Sequence, residues 1–137
     1  PEAVEPVFHA LIKQLWHPHS QSKILLPLDF GMRRLRSIMF IHTVYFWLRK
    51  DLTEEQRNEF KEGVDSLKQI PSTTATYTGV PADTDRPVID RTYDVALTVV
   101  LADRAAHDAY QDDPIHHDFI KRFADYWIQV RIYDAVG

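Results

Sequence analysis

The sequence predicts an α+β domain with elements in the order βαββαβ, preceded by a helical extension. Three observations predict it. Residues 38–48 (IMFIHTVYFWL) are dense in β-branched and aromatic side chains on both alternating faces, which marks a central strand. Residues 53–70 carry a helix-start signal followed by an apolar stripe. Two further β-rich runs, a second helical stretch and a last strand then follow in turn.

The first 37 residues read differently from the rest. Val7, Phe8, Leu11, Ile12, Leu15 and Trp16 recur at helical spacing, with Pro6 suited to a first turn and His17-Pro18 closing the pattern. A loop, a short apolar piece broken by Pro27, and the cluster Arg33, Arg34 and Arg36 complete this extension. The arginines read as a solvated turn. The stripe predicts that the extension packs on the core or on a partner subunit, giving a division into 1–37 and 38–137.

After the first strand, Thr53-x-x-Gln56 is a capping box, and Phe60, Val64 and Leu67 form the buried stripe of its helix. Pro71 lies just beyond that helix. Residues 73–80 form the second strand, and the Pro- and Asp-bearing stretch 81–92 is a loop. Residues 93–101 (YDVALTVVL) form the third strand. Asp103 caps a short helix through Tyr110, and Asp113-Pro114 restarts it as an N-cap followed by proline at the first helical position. Ile115, Phe119 and Phe123 supply its stripe, and the last strand occupies residues 128–136. This order is the ferredoxin-like pattern with an antiparallel sheet.

Composition bounds the function. A chain of 137 residues with 45% hydrophobic and 26% charged residues suits one globular domain. A net charge of −4 gives no basic footprint for nucleic acid. Cysteine is absent, which removes disulfides, thiolate metal sites and cysteine nucleophiles and suits a reducing, cytoplasmic setting. No stretch approaches the roughly 20 apolar residues that span a bilayer, and the opening residues lack the basic start of a secretory leader. A soluble protein with no membrane partner is expected.

Four short motifs, in order, resemble the stress-responsive A/B-barrel (Dabb) family, which includes olivetolic acid cyclase. Met39-Phe-Ile-His42-Thr-Val44 is similar to its opening M-x-x-H-x-V strand. Tyr93-Asp94 matches its tyrosine–aspartate strand, and Tyr110-Gln-Asp-Asp113-Pro114-Ile-His116 resembles its Y-x-x-H-P-x-H signature. Tyr133-Asp134 matches its aromatic–aspartate ending. Asp113 departs from the signature by replacing the first histidine, and the first 37 residues have no counterpart in the minimal family domain. The resemblance implies a dimeric α/β barrel that needs no cofactor. It also implies acid/base chemistry of the aldol-cyclase or lyase kind, with Tyr110 and His116 as catalytic residues. In that reading His116 removes an acidic proton and Tyr110 supports the enolate oxygen.

Topology adds a second pair. In a ferredoxin-like sheet the first and last strands are antiparallel neighbours, so His42 meets Asp134, and a carboxylate there fixes the imidazole tautomer. This pair would bind and orient a small organic substrate. Each residue also has a plainer role open to it. Tyr110 can pack its ring, His116 can stabilise a helix start, and His42 can bridge strands as a satisfied structural histidine. Asp113 is either only a cap or a charge that draws a proton onto His116.

No metal is expected. The adjacent His116 and His117 point about 100° apart on a helix, His17 and His19 lack a third ligand, and Asp83, Asp85 and Asp90 read as solvated loop acids. A homodimer joined through sheet faces is expected, because Ile41, Tyr45 and Trp47 make the second face of the first strand apolar. A non-enzymatic dimeric stress or structural protein is the alternative. A haem-handling monooxygenase-like protein shares only the fold.

Overall fold

The computed structural model describes residues 39–137. The expected helix at residues 6–16, the arginine cluster and the docking of the extension lie outside the described residues. Strand β1 (Phe40–Leu48) leads into helix α1 (Glu54–Ser66), strand β2 (Thr73–Gly79) and strand β3 (Val95–Leu101). Helices α2 (Arg104–Asp112) and α3 (Pro114–Phe123) and strand β4 (Trp127–Val136) complete the order. The four strands form one antiparallel sheet in the order β2-β3-β1-β4, the arrangement expected of a ferredoxin-like domain.

Local chemistry places each boundary. The Thr53 hydroxyl accepts the Gln56 amide N–H while the Gln56 side chain accepts the Thr53 N–H, closing the capping box on α1. Asp103 accepts the Ala106 N–H at the start of α2. Asp113 ends α2 in extended backbone and accepts the Ile115 N–H at the start of α3, with Pro114 at its first position. Strand β3 begins at Val95 rather than Tyr93, and Asp94 just before it is tied to other elements through its side chain. Its carboxylate accepts the Leu48 N–H at 2.7 Å and an Arg57 N–H at 3.3 Å, pinning the end of β1 to α1.

Alternation along β1 is complete, with Phe40, His42, Val44, Phe46 and Leu48 buried and the residues between them partly exposed. The buried set faces Val95, Leu97, Val99 and Leu101 of β3 and lies under the helices, where Phe60, Val64, Tyr110, Phe119 and Phe123 close the core. Helix α1 approaches α3 closely at Gly63, where a β-carbon would overlap the ring of Phe123.

The second sheet face carries Tyr45, Trp47, Tyr93, Tyr133 and Arg131. Tyr45 packs edge-on against Tyr93 and Tyr133, the Trp47 indole N–H donates to Thr92, and the Arg131 guanidinium lies over the Trp47 ring. With Asp90 these five residues line a groove of about 280 Å³. Among the described residues strand β4 is an edge strand joined only to β1. Met39 and Gly137 exchange both backbone hydrogen bonds at the end of that ladder. Among the described residues no helix is long and apolar enough to cross a membrane.

Candidate active site

His42 is 3% exposed, the one histidine in the buried core of the described residues. An unpaired imidazole there would cost about 1–3 kcal/mol. The β1–β4 register sets Asp134 directly opposite. The His42 Nδ1–H donates to Asp134 Oδ1 at 2.6 Å, so the expected strand-crossing pair is present. Asp134 stays 41% exposed, which puts the pair at a margin where one partner is dry and the other wet. Burial holds the His42 pKa below its ordinary value, partly offset by Asp134. The neutral ring with its proton on Nδ1 leaves Nε2 as a bare lone pair.

The helix break at Asp113 brings the other two expected residues together. Tyr110, near the end of α2, and His116, in the first turn of α3, have ring centroids 5.1 Å apart. The Tyr110 ring is in turn 5.8 Å from His42. Tyr110 is also 1% exposed and part of the core, so its packing role and its place in the site coexist. Burial raises its pKa, which keeps the phenol a neutral hydrogen-bond donor.

His116 is pushed down to about 4, first by burial and then by His42, His117 and His107. Asp113 pulls the other way with the smallest effect, and its carboxylate is engaged in the α3 cap. The pull of Asp113 on a His116 proton is thus outweighed by burial and the neighbouring histidines, which favour the neutral ring.

Sequence reasoning missed His107. It lies three residues before Tyr110 on α2, hence on the same helical face. Its ring stacks on Phe40 at 4.4 Å and stands 5.0 Å from His42. Its Nε2 is 4.0 Å from Asp134 Oδ2, so the carboxylate sits between two imidazoles. The i, i+3 spacing to Tyr110 was the one signal available in the sequence. The loop acids behave as expected, with Asp90 bonded to Thr92 and Asp83 reaching Arg91 at the surface.

A ferredoxin-like sheet with one face under helices, and histidines gathered at its β1–β4 margin, defines the class of protein. The sequence profile of the stress-responsive A/B-barrel domain (Dabb) matches residues 40–136. The chain belongs to the Dabb family.

Solved structures agree on the fold. A Dabb-family protein from Mesorhizobium loti is 25% identical, with a TM-score of 0.60 over 73% of this chain and 97% of its own. A dimeric ferredoxin-like protein of unknown function from Thermobifida fusca is 19% identical, with a TM-score of 0.61 over 74% and 93%. Hydroxynitrile lyase from Passiflora edulis is 17% identical, with a TM-score of 0.63 over 74% and 94%. No curated protein matches the chain at a significant level.

Proposed function

We propose that this Dabb protein is a homodimer that binds a small carbonyl-bearing organic molecule and acts on it by cofactor-independent acid/base chemistry. One observation carries the reading: the His42–Asp134 pair at 2.6 Å, with Tyr110 next to it and His116 next to Tyr110. The expectation from sequence gave the base to His116. Burial opposes a charge on both rings, but at His42 the hydrogen-bonded Asp134 carboxylate offsets part of that cost. His116 has three histidines against it and only a weak pull from Asp113, so His42 is the better base. His42 Nε2 takes the proton, neutral Tyr110 donates to the developing oxyanion, and His116 orients the substrate. Both carbon–carbon bond closure and a lyase reaction need this base-and-donor pair. The lyase identity of the Passiflora edulis neighbour supports the second. Dimeric neighbours, including the one from Thermobifida fusca, support the homodimer.

A thermal-shift screen of β-keto acids, aromatic acids and hydroxynitriles tests the reading, since a ligand of the native state raises its melting temperature. At least one class should stabilise the protein, and the shift should shrink in Tyr110→Phe and His42→Asn. No shift with any class, or equal shifts in both variants, would overturn it.

A further inference from the structure

We propose that His42, His107 and Asp134 form a binding site for a first-row divalent transition-metal ion such as Zn²⁺ or Co²⁺. One donor atom from each of the three lies within 4.8 Å of the others. His42 Nδ1 and His107 Nε2 both face the Asp134 carboxylate, at 2.6 and 4.0 Å. Ligands about 2.0–2.2 Å from an ion sit roughly 3–3.5 Å from one another, and these contacts bracket that spacing. Small rotations of His107 and Asp134, on the wetter side, bring the set to an ion.

The chemistry of the donors selects the metal. Two imidazoles and one carboxylate suit zinc, cobalt, nickel or iron, whereas magnesium and calcium prefer all-oxygen sites. Three protein ligands from three different elements leave a coordination position open on the exposed side of Asp134, the arrangement of a reactive rather than a closed structural site. The surroundings hold the ligands in place. His107 is braced by its stack on Phe40, and its Nδ1 faces Asp108 Oδ1 at 3.4 Å, an outer partner of the kind that aims Nε2 at a metal. β-sheet register fixes His42 against Asp134. Binding has to displace two present contacts: the His42 proton shared with Asp134, and the Gln111 amide 3.3 Å from His107 Nε2.

This site stands on its own geometry and not on the proposed reaction. It shares His42 with that reaction, and a ring bound to metal through Nδ1 no longer has the Asp134-backed tautomer. Metal and acid/base use of His42 therefore exclude one another, and ion availability becomes a switch on the site.

The test is titration of the metal-free full chain with Co²⁺ and Zn²⁺, read by the visible cobalt spectrum and by calorimetry. One ion per chain is expected, with a cobalt band from four or five ligands including nitrogen. His107→Ala, and separately His107→Gln to preserve packing, should each lower affinity by about tenfold or more, as should Asp134→Asn. Replacing His9, His17 and His19 together should leave binding unchanged. No uptake, uptake unaltered in both folded His107 variants, or uptake lost with the three N-terminal histidines would overturn the proposal. His107 lies outside the acid/base set, so organic-ligand shifts that survive His107→Ala separate failure of the metal site from failure of the proposed reaction.

Discussion

At the scale of single residues, the site depends on where burial and charge oppose one another. His116 has a depressed pKa, so the folded state binds fewer protons than the unfolded chain between the ordinary histidine value of 6.5 and about 4. Its contribution to stability is complete above pH 6.5 and is lost as pH falls through that window, by up to about 1.4 kcal/mol per pH unit. Urea unfolding at pH 7 and pH 5 should show this loss, and His116→Gln should flatten it. An equal loss in that variant would place the titration elsewhere. His42 and Asp134 were legible in the sequence because antiparallel topology turns two distant positions into neighbours. Tyr110 and His116 were legible through a short signature around a proline. His107 was not, because its partners lie on other elements and α2 is too short and too alanine-rich for a periodic pattern to single it out. The state of His116 was not legible either, since it depends on burial that only packing sets.

At the scale of elements, the capping box at Thr53, the caps at Asp103 and Asp113, and Pro114 placed the helices from sequence alone. These signals are local and need no tertiary contact to read. The Tyr93-Asp94 motif shows the limit. Its pattern suggested more strand, yet Asp94 serves Leu48 and Arg57, partners 46 and 37 residues away. Gly63 is a second case, looking like a weak point in a helix when it is the contact that lets α1 meet α3. Alanine there gains up to about 1 kcal/mol in helix propensity, but overpacking against the buried Phe123 ring costs about 1–3 kcal/mol. Gly63→Ala should therefore lower the unfolding free energy in urea. A gain in stability would show that the two helices part easily.

For the whole molecule, the aromatic second sheet face is the feature that the described residues leave without a covering layer. Tyr133 is 58% exposed and Tyr77 66%, on the same face as Tyr45 and Trp47. In the proposed dimer this face meets its counterpart, and a charge placed at its centre lacks water. Trp47→Glu should weaken association by about 2 kcal/mol or more, roughly 30-fold in dissociation constant. Sedimentation velocity over a concentration series would measure it, and a wild-type protein that stays monomeric at micromolar concentration would remove the dimer from the reading.

The paired bonds between Met39 and Gly137 fix how every amide along β4 points. Counting back in steps of two from Gly137, the N–H groups of Ala135, Tyr133 and Arg131 turn inward to β1. Those of Val136, Asp134, Ile132 and Val130 turn outward from the sheet edge. Deuterium should therefore enter β4 as an alternating comb, slow at the odd positions and fast at the even ones, while β1 exchanges slowly throughout. Association through sheet faces preserves the comb. A partner strand added along the edge would fill in its gaps, so one exchange experiment on the native protein reports both the register of the sheet and the geometry of assembly.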